Sequence, residues 1–220
     1  MVTRAKRTDA KHWQLTIHSQ RPALAEIERT IQWTEANIVP SVFRKVKATA
    51  VVPSIEARHQ KNCNAYFLAE RWAIGDVKAD GLNICPERFP DGAEAVAESV
   101  IHEMVHLVNH ANGIKDTTKN YHNAKYKDTA EQFGLIVEKG GKTIGYGYTS
   151  LGAELNARVI AELQPDASAY DLVLRELEKA KPKKTKKQAV TWDCGCTKVR
   201  ASVKVDATCN ACGKKFKKAK

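Results

Sequence analysis

The stretch His102-Glu103-Met104-Val105-His106 decides how the rest of this sequence is interpreted. On a helix of about 3.6 residues per turn, histidines four residues apart project from one face, so both imidazoles can bind one zinc ion. Glu103 follows one residue round the helix, beside the open side of such a metal. There its carboxylate can accept a proton from a metal-bound water, which is the general-base role in zinc hydrolases.

The residues around this run predict a long helix that is buried on one side. Asp91 and Glu94 have the spacing of a capping box, so we expect the helix to begin near residue 92. We expect it to end near residue 111, with Gly113 in a left-handed cap. The apolar positions form a broad stripe, which consists of Val96, Val100, Ile101, Met104, Val105 and Leu107.

A catalytic zinc ion needs a third protein ligand besides His102 and His106. His110 is eight residues from His102, which is about 12 Å along a straight helix and too far to share the ion. One class of zinc peptidases reaches its third histidine through a glycine turn. That class is excluded because Asn109 and Asn112 occupy the two positions concerned.

The remaining candidates lie in the segment 120–134, where the pattern predicts a second helix that ends at Gly134. They are His122 at its start and the carboxylates of Asp128 and Glu131 further along. A ligand at the start of this helix and one at its end would be about 13 Å apart, so only one of them can reach the metal. We choose His122 as the third ligand, with the two carboxylates as the alternatives.

Taken together, these residues resemble the SprT-like metallopeptidase family, to which the eukaryotic Spartan proteases belong. The resemblance covers roughly residues 20 to 150 and the tail; its most specific parts are Glu98 to His106 and His122 to Tyr126, and its weaker parts are the strand-like segments 64–72 and 80–86. It implies a minimal zincin-like fold, endopeptidase activity, and His122 as the third zinc ligand. For some members of the family it also implies degradation of proteins crosslinked to DNA.

The order of the predicted elements indicates an α+β fold, with a small, mostly antiparallel sheet over the helices. Tyr146 and Tyr148 are candidates to hydrogen-bond an oxyanion, although packing is the commoner role of a tyrosine. Pro22 suits the first turn of the first helix, and Pro40 should stop it. We expect helices at 22–38, 92–111, 120–134 and 151–163, and strands at 47–55, 65–72, 81–85 and 142–149.

The composition is that of a globular protein, since 43% of the 220 residues are hydrophobic. The chain has no apolar run long enough to span a membrane, and its charged start lacks the apolar core of a secretory signal. We therefore expect a monomeric, intracellular protein, cytoplasmic or associated with the nucleoid, that is neither secreted nor bound to membranes.

The net charge of +11 is concentrated at one end of the chain. Residues 179–220 contain 14 basic and 2 acidic residues, a net charge of +12. Of the 36 basic and 25 acidic residues in the whole chain, 22 and 23 remain for residues 1–178, a net charge of −1. The tail therefore has the charge density that binds polyanions through counterion release.

Four of the six cysteines lie in this tail as two close pairs, Cys194 with Cys196 and Cys209 with Cys212. Two such pairs joined by a strand hairpin suit a tetrahedral, structural zinc site. A module this small cannot bury enough surface to fold without a metal. We expect Cys63 and Cys85 to be reduced and structural, because the chain lacks a secretory signal.

The sequence thus predicts a metallopeptidase domain at 1–178, a basic linker at 179–190, and a zinc ribbon with a basic tail at 191–220. Trp192 and Phe216 are candidate stacking surfaces for exposed bases. The candidate DNA contacts are the cations of the linker and ribbon, namely Lys183, Lys184, Lys186, Lys187, Lys198, Arg200, Lys214 and Lys215.

These features predict an endopeptidase with two zinc ions, one catalytic and one structural, that acts on DNA-associated proteins. One alternative is a nucleic-acid-binding or regulatory zinc protein with little turnover. Another is an intracellular zinc peptidase that cleaves a specific repressor. Glu103 disfavours the regulatory protein, because this carboxylate is needed for catalysis and not for metal ligation.

Overall fold

The computed structural model describes residues 18–47, 49–57, 63–172 and 189–219. The chain divides into two compact units, Met1–Leu174 and Arg175–Lys220. Most of the predicted linker lies outside the described residues, as do the four candidate DNA contacts Lys183, Lys184, Lys186 and Lys187. Among the described residues, no helix is both long enough and apolar enough to cross a membrane.

The first unit mixes helices with small sheets, which agrees with the predicted α+β class. Its helices are α1 (Arg21–Asn37), α2 (Val39–Val42), α3 (Ala93–Ala111), α4 (Ala124–Gln132) and α5 (Ala153–Arg158), which continues as a π-helical turn at Val159–Leu163. Its strands are β1 (Ala50–Ile55), β2 (Ala65–Ile74), β3 (Val77–Ile84), β4 (Thr117–Thr118), β5 (Tyr121–His122), β6 (Leu135–Glu138) and β7 (Tyr148–Leu151). Short 3-10 helices lie at Pro86–Asp91 and Ala167–Tyr170.

The largest sheet has the strand order β1-β3-β2. A tight hairpin makes β2 and β3 antiparallel, and β3 then lies between β1 and β2 and pairs with β1 in parallel. This parallel pair departs from the mostly antiparallel sheet expected from the sequence. The two small sheets β4-β5 and β6-β7 are antiparallel.

Helix α3 lies at the centre of the core of this unit. Its predicted apolar stripe is confirmed, because all six of those side chains are buried. Leu82 and Ile84 of β3 and Ile27 of α1 are completely buried in the same cluster. The core therefore holds α3 between α1 and the sheet, and this fixes the orientation of the two histidines on α3.

The ends of α3 show one wrong prediction and one correct one. The capping box is wrong: the cap residue is Gly92 with φ of 100°, and no side chain caps the helix. Asp91 instead ends the preceding 3-10 helix, where its carboxylate accepts a hydrogen bond from Arg88 at 2.8 Å. At the other end Gly113 has the predicted left-handed conformation, with φ of 70°.

Other predicted boundaries shift by a few residues. Pro40 lies in the first turn of α2 and so begins a helical turn instead of ending a helix. The strands predicted at 47–55, 65–72 and 81–85 correspond to β1, β2 and β3. The strand predicted at 142–149 is shifted to β7 (Tyr148–Leu151), because most of residues 142–147 form a turn. The helix predicted at 151–163 begins at Ala153.

The described part of the second unit contains one small antiparallel sheet of three strands, β8 (Val190–Asp193), β9 (Lys198–Ala201) and β10 (Lys217–Lys218), in the order β10-β8-β9. The predicted strand hairpin between the two cysteine pairs is wrong, because β8 precedes the first pair. Cys194 and Cys196 lie in the turn of the β8-β9 hairpin, and Cys209 and Cys212 lie in the loop before β10.

Replacing Leu82 by alanine should lower the free energy of unfolding by about 3 kcal/mol, because a fully buried side chain leaves a cavity. Val77→Ala is the matched control on the same strand, where the side chain is 56% exposed; it should change the free energy by less than about 1 kcal/mol. Urea unfolding followed by circular dichroism measures both. Equal losses would contradict the assignment of β3 to the core.

Candidate metal centre

The three predicted histidine ligands come together at one point of the first unit. His102 and His106 lie one turn apart on α3, and His122 comes from β5. The Nε2 atom of His122 is 3.3 Å from Nε2 of His102 and 3.1 Å from Nε2 of His106. Nitrogens bound to one zinc ion in tetrahedral geometry are about 3.3 Å apart. The group can therefore hold a metal ion, and its spacing is consistent with zinc.

Hydrogen bonds to the Nδ1 atoms determine where the protons of two of these rings lie. Nδ1 of His106 is 2.8 Å from a carboxylate oxygen of Asp116, and Nδ1 of His122 is 3.2 Å from the carbonyl oxygen of Ile144. The carbonyl and the ionised carboxylate can only accept, so Nδ1 carries the proton in each ring, and in the neutral form of the ring Nε2 carries a lone pair. Two lone pairs that face each other repel unless a cation lies between them.

His102 presents a lone pair in the same way, through a chain of three side chains. Its Nδ1 is 2.9 Å from the hydroxyl of Thr149, and that hydroxyl donates its proton to Glu98 at 2.8 Å. The hydroxyl oxygen is then left to accept from Nδ1 of His102. Arg88 holds the other oxygen of Glu98 at 2.7 Å. All three rings therefore direct an Nε2 lone pair at the same point.

The carboxylate that orients His106 belongs to a buried network. Asn109 donates to Asp116 at 3.0 Å, and Thr129 of α4 donates to Asn109 at 2.9 Å. Burial opposes the charge on Asp116, but the hydrogen bonds from His106 and Asn109 outweigh it and hold the pKa of Asp116 below its ordinary value. The network connects α3 to α4 and keeps the carboxylate of Asp116 ionised at neutral pH.

Burial also keeps two of the ligands ready to bind a cation. It lowers the pKa of His102 well below its ordinary value, and it lowers that of His122 to about 4. The neighbouring histidines act in the same direction, because a second positive charge nearby is unfavourable. Both rings are neutral at pH 7, which is the state in which imidazole is a metal ligand.

A turn of backbone wraps around His122 and sets its position. The backbone N–H of His122 donates to Ile144 at 2.9 Å, and Tyr146 donates to the carbonyl of His122 at 3.0 Å. Gly145 has φ of 66°, and a Cβ there would lie 2.2 Å from that carbonyl oxygen. A Cβ on Gly147 would lie 2.6 Å from Nδ1 of His122. Both positions therefore require glycine.

His122 does not open the second helix, as the sequence had suggested. Helix α4 begins at Ala124, and its cap is Asn123, whose side chain accepts from the backbone of Lys125 and Tyr126. His122 precedes this cap on β5, where it pairs with Thr117 of β4. The end of the helix is confirmed, since Gly134 has φ of 88°.

Tyr126 forms a surface beneath the three imidazoles. Its ring centroid lies 5.0 Å from that of His102 and 4.6 Å from those of His106 and His122. The side chain is completely buried, and its hydroxyl has no hydrogen-bond partner among the described residues. Packing against one rigid ring restricts the tilt of all three ligands.

Glu103 is buried next to the first histidine ligand, with 4% of its surface exposed. Burial raises the pKa of Glu103 to about 7, although a hydrogen bond from the backbone of Phe67 favours its charged form. A carboxylate with a pKa near 7 is suited to accept and release a proton at neutral pH.

The structure does not bring the other candidate ligands to this point. Asp128 and Glu131 are exposed on α4 and lie outside the histidine group. The side chain of His110 is 42% exposed, and its Nε2 lies 3.7 Å from the buried carboxylate of Asp80. Among the described residues, the histidine group that could hold a metal ion consists of the three predicted members.

The two tyrosines considered for an oxyanion role lie near the turn around His122. Tyr146 has the ammonium groups of Lys127 and Lys139 at 5.7 and 5.5 Å from its ring centroid. Tyr148 is 52% exposed. No contact of either hydroxyl with the histidine group is seen among the described residues, so their catalytic role stays a hypothesis.

The four predicted cysteine ligands also come together. Sγ of Cys196 is 3.4 Å from that of Cys194 and 3.5 Å from that of Cys209, and with Cys212 all four sulfurs lie within 4.8 Å of one another. Sulfurs of a tetrahedral zinc site are about 3.8 Å apart. Backbone N–H groups of Cys212 and Ala211 lower the pKa of Cys209 to about 6, which favours the thiolate. This cluster can hold a metal ion.

The four described candidate DNA contacts are exposed on the ribbon; they are Lys198, Arg200, Lys214 and Lys215. Two of them have an acidic neighbour, with Lys198 at 3.7 Å from Asp193 and Lys215 at 3.4 Å from Asp206. Trp192 and Phe216 are half-buried, and the indole nitrogen of Trp192 is buried without a partner among the described residues. Both rings therefore contribute at least in part to the packing of the ribbon.

Comparison of the chain with protein-family models, curated proteins and solved structures gives no match in any of the three. The SprT-like resemblance therefore continues to rest on the motifs described above.

Sequence reasoning missed the residues that orient the ligands. Asp116 and Thr149 lie outside any helix with hydrophobic periodicity, so no spacing marks them. Asn109 carried a weak signal, because it lies three residues after His106 and hence close to the same helix face. A polar residue at a position that faces the core is a candidate for such a role.

Replacing Asp116 by asparagine should weaken metal binding at the histidine site by about 10- to 100-fold, because the proton and tilt of the His106 ring are then less firmly held. Competition with a chromophoric chelator measures the affinity. Asp128→Asn, an exposed change on α4, is the matched control and should leave the affinity unchanged. Equal affinities for both variants would contradict an orienting role for Asp116.

Proposed function

We propose that this protein is a zinc-dependent endopeptidase of the SprT-like kind that acts on DNA-associated proteins. The observation that carries the proposal is the convergence of three Nε2 lone pairs next to the buried Glu103. Three imidazoles in tetrahedral spacing leave one coordination position open, which is the ligand set of a catalytic and not of a structural zinc site.

Zinc held by His102, His106 and His122 would act as a Lewis acid and lower the pKa of a bound water towards about 7. Glu103 supplies the proton chemistry. With its pKa raised to about 7, its carboxylate accepts the proton of the attacking water and then delivers it to the leaving amine. A pure scaffold has no use for a buried carboxylate at this position.

The neighbouring edge strand favours an extended polypeptide as substrate. Among the described residues β2 pairs only with β3, so backbone groups of its outer edge other than the N–H of Phe67 are available for another strand. Phe67 of this strand contacts the site from two directions, through its backbone bond to Glu103 and through its ring, which stacks on His106 at 6.3 Å. A peptide paired with β2 would therefore run past the general base.

The nucleic-acid part of the proposal rests on the second unit. Its cysteine cluster suits a closed, structural zinc site, because all four ligands are protein sulfurs. The exposed cations around it, within a segment of net charge +12, can contact phosphates. The first unit is nearly neutral, so the ribbon and linker supply the attraction to DNA.

Replacing Glu103 by glutamine should lower the rate of proteolysis by at least about 100-fold, because the proton acceptor is lost. The metal content should stay the same, because Glu103 is not a ligand. The assay is cleavage of a basic DNA-binding protein in the presence of single-stranded DNA, with metal content from atomic emission. Glu94→Gln, an exposed change on the same helix, is the control. Unchanged cleavage by the Glu103 variant would refute the mechanism.

Wild-type protein that carries both metals but cuts no protein, with or without DNA, would instead favour the regulatory alternative. Cleavage of a single partner without DNA would favour the repressor-cleaving alternative.

Replacing Lys198, Arg200, Lys214 and Lys215 together by alanine should weaken DNA binding and reduce the slope of log affinity against log salt by up to about 4. The matched control removes four exposed lysines of the first unit, namely Lys115, Lys119, Lys139 and Lys142, and so changes the net charge equally. It should affect the slope much less. Fluorescence anisotropy over a salt series measures both, and equal slopes for the two variants would refute the ribbon as the DNA-binding surface.

A further inference from the structure

The two cysteines outside the ribbon meet at one end of the β2-β3 pair. Cys63 lies two residues before β2, and Cys85 directly follows β3. The ladder pairs Ala65 with Ile84 and continues as a hydrogen bond of 2.9 Å from the N–H of Cys85 to the carbonyl of Asn64. Cα atoms one step diagonal across such a ladder are about 6 Å apart. This separation lies in the range that a disulfide bond spans.

The two thiols are hydrogen-bonded to each other as part of a longer chain of contacts. Asn83 donates to the sulfur of Cys85 at 3.7 Å, and Cys85 and Cys63 form the next bond. Cys63 in turn donates to the carbonyl of Ala65 at 3.2 Å. The two sulfurs are therefore within hydrogen-bonding distance of each other, so a short approach of the side chains would join them.

The surroundings of the thiols give them different chemical roles. Cys85 is completely buried, whereas Cys63 is partly exposed. The hydrogen bond to Cys63 and burial raise the pKa of Cys85 far above its ordinary value. Cys85 therefore keeps its proton and stays a thiol. Cys63 is the thiol that a reagent from solution reaches first.

We propose that Cys63 and Cys85 are a dithiol site that a hydroperoxide converts into an intramolecular disulfide. The Cys63 sulfur attacks the peroxide and the O–O bond breaks. The proton of Cys63 leaves with the departing oxygen as water or an alcohol, and a sulfenic acid forms. The sulfur of Cys85 then attacks the sulfenic sulfur, its proton leaves with the hydroxyl group as water, and the S–S bond forms. Two thiols lose two electrons, and the peroxide is reduced by the same two.

The position of this site links it to the candidate metal centre. The disulfide would join the segment before β2 to the end of β3. Cys63 lies four residues before Phe67, and the backbone of Phe67 binds Glu103. It would thus fix the strand next to the general base. The inference depends on the thiol contact alone, so it stands or falls independently of the proposed proteolysis. It revises the expectation that these two cysteines are merely structural.

The test uses the full chain with zinc bound, so that the four ribbon cysteines are protected as ligands and serve as an internal reference. The protein is treated with a small excess of hydrogen peroxide, alkylated in denaturant and digested with trypsin without reduction. Peptides 62–71 and 79–88 carry Cys63 and Cys85. We expect them to appear joined, with a mass about 2 Da below the sum of the two, and to separate on treatment with dithiothreitol. Two of the six cysteines should become resistant to alkylation.

The variants C63S and C85S separate the roles of the two thiols. Each should lose the joined peptide. In C85S, Cys63 should instead proceed to the sulfinic acid, because the resolving thiol is missing. The proposal is overturned if wild-type Cys63 reaches the sulfinic acid as readily as in C85S. It is also overturned if the ribbon cysteines oxidise while peptides 62–71 and 79–88 remain unlinked. The wild-type measurement decides the question even if a variant does not fold.

Discussion

Three imidazole lone pairs directed at one point form the constraint on which the rest of the first unit depends. Each lone pair exists because the opposite nitrogen of the ring donates its proton elsewhere, to Asp116, to Ile144 or to Thr149. Those acceptors come from three different loops or strands, and the core around α3 holds them in place. A cation relieves the repulsion that this arrangement would otherwise create. The fold therefore places three nitrogens that could hold one metal ion next to the buried Glu103.

The two units differ in net charge and in the amount of apolar surface that they bury. The first unit is nearly neutral and has a large apolar core, so it can hold a buried site whose pKa values differ strongly from those in water. The second unit has little apolar surface to bury, and four sulfurs around a metal would replace a core. In the proposed function, this separation would let the basic unit attract DNA without disturbing the buried carboxylate of the first unit.

Much of the candidate site was predictable, because its main elements are periodic. The spacing of His102 and His106 and the apolar stripe of α3 follow directly from the helical repeat, and helix length excluded His110. The parallel pairing of β1 with β3 was not predictable, because the sequence of a strand does not indicate which distant strand it pairs with. The capping box failed because Arg88, itself held by Glu98, competes for Asp91. Asp116 and Thr149 act through loops, whose geometry is set by the assembled core.

The shortness of β4 and β5 has a consequence for the dynamics of the protein. Two residues a strand, joined by a turn in which Lys119 has φ of 57°, cannot hold a hairpin by themselves. The hairpin and the turn around Gly145 both contain contacts of His122. Nε2 of His122 lies 3.3 Å from that of His102 and 3.1 Å from that of His106, both on α3. A metal ion there would act as a crosslink between segments far apart in sequence. Amide hydrogen exchange between residues 117 and 147 would then report on metal occupancy, while the centre of α3 would remain protected in either state.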